Sequence, residues 1–536
     1  MALIVVSSNL ITHPLYFVFF IIIMESIILF SFIPEIYLSI SILIFLLYNI
    51  TILNTSKANF AVFKFEIFSQ VIAILIFLFL LLVYVKIEGF TYNSSFIVDS
   101  TNINLKVVWS VFCIFSFINI WRSSLLQKLN FFEFFTIFLL SIFASLLLLS
   151  SVDLLANYLI IELQSICFYI LASFRRSSSF SSEAGLKYFI SSAFMSCIFL
   201  LGISILYGCL GTLNYNSISL LIVFGSTDYS HIIFNYVFLG SLLILIFFLF
   251  KLSIAPFHFW FPQIYDGSPL SSTIYFSVLP KFIIFSVLIR WLSTLSFISS
   301  SLTPIILCCA LFSSFFGVFL ALKQKKLKKF LIFSSIGQLG LPLSLVAVLD
   351  YNSIVYSYFF LFIYMITSIL VWGYFFISLF SFSVRNTVSD VLVEHPLFLT
   401  SFTNLFKHNS IWSFLVLFIF FSMCGIPPLS GFIAKMFVYS SLLDLDYFLV
   451  SVFLILVGAF SSFYYIRIIK IMFFENSSVS SLYNNHSLYR IPFFVLDCSL
   501  YAFLFFLLFF FCFYPDFLLY FIKGFCNFSP SFYAII

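Results

Sequence analysis

Apolar stretches about 20 residues long, the length that crosses a hydrocarbon core, recur along nearly all of this 536-residue chain, with only short polar links between them. Water cannot host such a pattern. Hydrophobic residues make up 63% of the chain and charged residues only 8%, against about a quarter charged in a soluble domain. The sequence therefore predicts an all-α polytopic membrane protein with no soluble domain attached. The runs fall near 34–53, 66–86, 107–121, 131–151, 153–174, 185–208, 232–262, 270–291, 302–322, 329–349, 353–380, 410–445, 447–470 and 492–514. That is about 14 transmembrane helices, two of them broken. An apolar extension, residues 1–33, precedes them, and a tail follows the last.

Short loops on the cytoplasmic or matrix side collect Lys and Arg. Passing alternately through the membrane puts Lys57 with Lys64, Arg122 with Lys128, Arg175-Arg176, the run Lys323 to Lys329, Arg385 with Lys407, and Arg467, Lys470 and Arg490 on one side. Lys86, Lys106, Arg290 and Lys523 fall on the other, with Asp228, Asp350, Asp444 and Asp446. Both ends of the helical core then lie on the outer side. The segment KQKKLKKFL reads as a loop anchored to anionic head groups.

Phe occurs 84 times and Gly 16. Membrane physics does not demand Phe over Leu, whereas Phe, Ile, Asn and Lys codons are AT-rich, which points to an organelle genome. The first basic residue is Lys57, so no basic leader or Arg-rich transit segment is expected at the N-terminus. Ten scattered Cys, with no CxxC pair, read as apolar filler rather than a metal or redox site.

Few ionisable groups lie inside the spans. Glu162 sits in DLLANYLIIELQSICFYILAS, Lys251 at the first break, Lys281 after Pro280, and Lys435 at the end of GIPPLSGFIAK. Each costs on the order of 3 kcal/mol at mid-bilayer and so should face other helices or water. An ion pair that holds helices together is the simplest reading of any one of them; one acid and several lysines at interior depth favour a row of proton-transfer groups. Burial disfavours an ammonium and a nearby carboxylate favours it, so a Glu–Lys pair can make a lysine take up or release a proton. Pro256 in the first break, and Pro427 and Pro428 in the second, open the helical backbone beside these lysines. Non-helical backbone at membrane depth is tolerated only where protein or water satisfies it. Two interrupted helices, one in each half, also point to internal repeats of the kind found in ion transporters.

The segments IELQSICFYILAS, FSSEAGLKYF, FKLSIAPFHFWFPQIYDGSP, LKKFLIFSSIGQLG, GIPPLSGFIAKMF and SSFYYIRIIKIMFF together resemble the successive motifs of the subunit 2 family of NADH:ubiquinone oxidoreductase, respiratory complex I. The resemblance covers residues 34 to 475. It implies an antiporter-like, proton-pumping subunit with two inverted five-helix repeats, each containing a discontinuous helix. The corresponding organisation is 34–130 for N-terminal helices, 131–291 and 302–475 for the two repeats, and 492–536 for the C-terminal helix and tail. It also implies that Glu162 and Lys251 form the charged pair of the first half-channel, that Lys187 modulates them, that Lys281 links to the second half, and that Lys435 is central there. Read from its position alone, Lys187 is a lysine reaching back to the membrane surface.

Gln338 stands where relatives often carry His, which leaves a polar, water-binding side chain without a titratable one. His258 reads as a hydrogen-bonded structural residue, and Asp390, Glu394 and His395 as surface or interface groups of a connector. No Gly-rich dinucleotide fingerprint and no Cys cluster is present. NADH, FMN, iron–sulfur clusters and ubiquinone are therefore expected on partner chains, with no cofactor in this one. The expected partners are the other membrane-arm subunits of complex I and lipids, in a hetero-oligomer of the mitochondrial inner membrane; nothing calls for nucleic acid. A free-standing cation/proton antiporter of the same superfamily is the alternative, and a structural scaffold with its buried charges as glue a third.

Overall fold

The computed structural model describes residues 31–55, 60–85, 89–91, 95–127, 129, 131–225, 231–383, 399, 406, 410–475 and 495–526. Two long helices, α1 (Ile33–Thr55) and α2 (Phe60–Tyr84), lead to a small hairpin of β1 (Gly89–Thr91) and β2 (Phe96–Val98). Then come α3 (Ser100–Leu126), α4 (Phe132–Ser150), α5 (Leu154–Ala172), α6 (Ser179–Leu210), the short α7 (Tyr215–Gly225), α8 (His231–Lys251), α9 (Trp260–Gly267) and α10 (Leu270–Thr294). The second half holds α11 (Ser296–Lys323), α12 (Leu327–Val348), α13 (Tyr351–Ser383), α14 (Ser410–Cys424), α15 (Ser430–Asp444), α16 (Phe448–Phe473), α17 (Val495–Phe513) and α18 (Pro515–Cys526).

Helices dominate because only a helix satisfies its own backbone in lipid. Among the described residues, 12 helices are long and apolar enough to cross a membrane, and 13 if the pair bent by 95° between Phe513 and Pro515 is one span. The half-helices α14 and α15 are each too short to be counted there; taken as one interrupted span they complete the expected set. The last span differs from expectation: what read as a tail begins with α18, turned sharply away from α17. Of the expected N-terminal extension, residues 1–30 lie outside the described residues, as do Asp390, Glu394 and His395 of the connector.

Side-chain choice separates the layers. Leu159, Ile166, Leu186, Ile190 and Phe194 face outward from α5 and α6, as a lipid-facing surface requires. By contrast α10 is buried almost end to end and packs on α3, α4, α8 and α13. Close helix contacts are made by small residues: a Cβ on Gly317 of α11 would stand 2.4 Å from the backbone nitrogen of Gly337 on α12.

Opposite ends of the bundle gather the loops that the Lys and Arg distribution assigned to opposite sides. At one end, Phe96 bridges to Ser151, Asp153 bridges to Asn214, and Arg290 donates to the Ser151 carbonyl at 3.1 Å and to the Asn102 side chain. At the other, Arg467 donates to the Leu322 carbonyl at 3.3 Å. Lys57, Lys86, Lys128, Arg385, Lys407, Arg490 and Asp228 lie outside the described residues. Part of the KQKKLKKFL run also has partners within the protein. Lys326 and Lys329 pair with Asp266 at the end of α9, at 3.2 and 3.3 Å, and Lys328 donates to the Ser268 carbonyl. Lys323 and Lys325 of that run are exposed without such partners among the described residues, and the Lys326 side chain stays 39% exposed in its pair with Asp266.

Candidate functional site

Both helix breaks are built the same way. After Lys251, Ser253 takes a left-handed conformation (φ 59°) and the Ile254 amide reaches back to the Leu249 carbonyl at 3.0 Å. After Cys424, Gly425 is left-handed (φ 82°) and the Ile426 amide bonds the Phe421 carbonyl at 3.1 Å. A left-handed residue followed by this long backward bond closes the end of a helix and satisfies carbonyls that the next turn would have used. A cis peptide then precedes Pro256 in one break and Pro428 in the other. Ser253 thus corresponds to Gly425, Ile254 to Ile426, Ala255 to Pro427 and Pro256 to Pro428.

The lysines sit on opposite sides of this shared device. Lys251 closes α8, half-buried, with its ammonium 5.6 Å from the centre of the Phe247 ring. Lys435, on α15, is buried and reaches back to donate to the carbonyls of Met423 and Cys424 at 2.9 and 2.7 Å. Those are the last carbonyls of α14, which lack helical partners and carry the negative end of its dipole. Gly425 leaves room for the Lys435 stem, since a Cβ there would stand 2.8 Å from its Cδ.

Glu162 lies half-buried on α5; the Ser165 hydroxyl faces two of its oxygens, the main-chain carbonyl at 2.8 Å and the carboxylate at 3.3 Å. Glu162 and Lys251 do not meet in an ion pair. Beside Ser165 is a cavity of about 20 Å³ whose polar lining includes Gln164, Ser165, Tyr188, Lys251, Trp260 and Lys281. The structure thus brings Lys251 and Lys281 to one space. Lys281 is only 3% exposed; its ammonium donates to Ser335 Oγ on α12 at 3.1 Å and lies 4.6 Å from the Phe261 ring centre, a cation–π contact. One turn further along α12, Gln338 donates to Tyr465 Oη at 2.9 Å. The Tyr465 ring lies 5.7 Å from that of Phe420, which stands one turn before the second break.

Lys187 is not brought to this row. It is 47% exposed on α6 and pairs with Glu183, one turn earlier, at 2.6 Å. Its neighbour Tyr188 is the residue that turns inward to the cavity. His258 is buried against the rings of Phe259 and Phe316 and its imidazole meets the Pro256 backbone, in keeping with a structural role.

One buried ion pair escaped sequence reading. Lys106 of α3 and Glu35 of α1 are in direct contact and both buried. Lys106 had been assigned to a loop because the apolar run begins after it. The stretch Asp99-Ser100-Thr101, a run of helix-starting residues, was the available signal that α3 begins earlier and carries Lys106 into the bundle.

Residues 151–462 match the family model described as the NADH:quinone oxidoreductase/Mrp antiporter transmembrane family. The NADH-quinone oxidoreductase subunit N of Wolbachia sp. subsp. Brugia malayi is 36% identical over 353 residues, covering 66% of this chain and 72% of its own length. The NADH-ubiquinone oxidoreductase chain 2 of Marchantia polymorpha is 35% identical over 361 residues, 67% of this chain and 70% of that one. The chain belongs to this subunit N/chain 2 family. A solved structure, respiratory complex I from Thermus thermophilus with bound aureothin, contains a chain that superposes with a TM-score of 0.69 over 91% of this chain and 98% of that one, at 21% identity. At that identity the superposition speaks for the fold alone. The motifs around Glu162, Lys251, Lys281, Gln338 and Lys435 all lie within the matched segment, whereas Glu35 and Lys106 precede it.

Proposed function

We propose that this chain is a proton-translocating membrane-arm subunit of an NADH:quinone oxidoreductase, moving protons along Glu162, Lys251, Lys281 and Lys435 while partner chains carry the redox chemistry. The observation that carries this reading is the cavity shared by Lys251 and Lys281, with Ser165 joining its wall to the Glu162 carboxylate. Ser335, Gln338 and Tyr465 continue the polar row toward the second break. Residues 131–291 and 302–475 are read as two repeats, supported by the position-for-position likeness of the two breaks. Lys187 acts on the pair through its partnership with Glu183, by changing the charge on the outer face of α6 next to Tyr188. NADH, FMN, iron–sulfur clusters and ubiquinone belong to partners.

The proposed setting is the mitochondrial inner membrane, with the gene in the organelle. The Phe-rich composition and the likeness to a plant chain 2 support it, while a bacterial relative is equally similar. Lys251→Ala and Glu162→Ala should each lower proton pumping per NADH oxidised in closed membrane vesicles without loss of the assembled complex. Normal pumping by both assembled variants would sink the proposal. On a native gel of the source membrane this chain should migrate with a large NADH-oxidising assembly; migration as a free 62.0 kDa species would favour the antiporter reading instead.

A further inference from the structure

Ser165, in the ELQS segment, already joins the cavity wall to Glu162, but its neighbour Gln164 has no role in the site described so far. Gln164 is 2% exposed on α5 and its Nε2 finds no protein hydrogen-bond partner. Buried side-chain amides are nearly always bonded, to protein or to an ordered water. Trp260 Nε1, at the start of α9, is a second buried donor without a partner, and both residues line the cavity that holds Lys251 and Lys281. A volume of 20 Å³ accommodates about one water, and a water needs two to four polar partners. Those partners are present.

We propose that this cavity is a built site for one water, that Gln164 is the positioning residue that holds it, and that Ser165 connects it to Glu162. The inference rests on the proton-transfer reading above. A water that accepts from Gln164 Nε2 keeps its second lone pair for a lysine ammonium and turns a hydrogen toward Ser165 Oγ. A proton then leaves the ammonium for the water oxygen, one water proton passes to the Ser165 hydroxyl, and the hydroxyl proton passes to the Glu162 carboxylate. One N–H bond breaks, one carboxyl O–H bond forms, and no electrons change hands. Ser165 Oγ stands 3.3 Å from the Glu162 carboxylate, and its hydrogen turns there from the Glu162 main-chain carbonyl, 2.8 Å away, when the proton passes. Gln164 and Ser165, two and three positions after Glu162, thereby become part of the working site, which explains why a polar pair occupies a buried helix face where apolar residues would otherwise pack.

The test compares Gln164→Met, Gln164→Asn, Ser165→Ala and Lys251→Ala in the assembled complex, reading protons pumped per NADH oxidised in closed vesicles and assembly on a native gel. Gln164→Met keeps the volume and removes the amide; it should lose pumping as Lys251→Ala does. Gln164→Asn keeps an amide and opens space for a further water, so pumping should be largely restored. Normal pumping by Gln164→Met beside a defective Lys251→Ala overturns the water site and leaves the broader reading standing; normal pumping by both overturns the broader reading. Equal loss in Gln164→Met and Gln164→Asn would mean that Gln164 acts through packing, and the inference falls. Where Gln164→Met does not assemble, Ser165→Ala decides: lost pumping supports the relay and normal pumping ends it.

Discussion

Lys435 donates across the second helix break to the carbonyl of Cys424, 2.7 Å from its ammonium. A cation therefore closes the end of α14, and the same group that is proposed to carry a proton also holds the broken backbone. Removing it leaves two buried carbonyls, those of Met423 and Cys424, without a side-chain donor. Each unsatisfied group costs about 1–3 kcal/mol. Lys435→Met should lower both pumping and the thermal unfolding midpoint of the purified complex; an unchanged midpoint would show that water replaces the ammonium as the cap.

Ser335 is the only hydrogen-bond acceptor seen for the Lys281 ammonium among the described residues. Ser335→Ala removes that oxygen and leaves the cation with the Phe261 and Tyr364 rings. Proton pumping should fall while assembly is kept, because only one hydroxyl has left a tightly packed helix pair. Pumping at the normal ratio to NADH oxidation would exclude Ser335 from the route between the halves.

Gly431 makes the tightest backbone approach at the second break. A Cβ there would lie 1.8 Å from the Ser422 carbonyl oxygen, whereas one on Gly208 of α6 meets nothing within 4 Å. Gly431→Ala should thus prevent accumulation of the assembled subunit, and Gly208→Ala should be tolerated or slightly stabilising, as Ala is the better helix former. Equal amounts of both variants on a native gel would contradict the contact.

The Glu35–Lys106 pair should behave as a structural clamp between α1 and α3. Breaking a buried pair by removing one partner typically costs about 3–5 kcal/mol, whereas replacing both by apolar groups is often neutral. Lys106→Met alone should destabilise the complex strongly, and Glu35→Met combined with Lys106→Met should recover most of the loss in thermal unfolding. No recovery in the double variant would mean that the charges themselves are needed.

Much of the fold could be read from the chain because the membrane allows few alternatives: the runs 270–291 and 329–349 are helices α10 and α12 within a few residues. The breaks were legible from Pro256, Pro427 and Pro428. What remained hidden depended on packing between distant segments. The halves looked unalike in sequence because Lys251 precedes its proline and Lys435 follows, yet the left-handed Ser253 and Gly425 show one backbone design. Asp266 was not recognised as the partner of Lys326 and Lys329, since 60 residues separate Asp266 from Lys326. Position alone read Lys187 as a lysine at the membrane surface, and it is exposed; its pairing with Glu183 one turn earlier was not anticipated.

The matched closings at Ser253 and Gly425 also separate architecture from chemistry. Each turn closes by backbone on a carbonyl of its own helix, Leu249 in one half and Phe421 in the other. The ammonium reaches the turn from upstream in the first and from downstream in the second, where it adds a side-chain cap. Comparisons across this family should therefore align the turns first and ask afterwards where the proton-bearing group has settled, because the turn is what the two halves share.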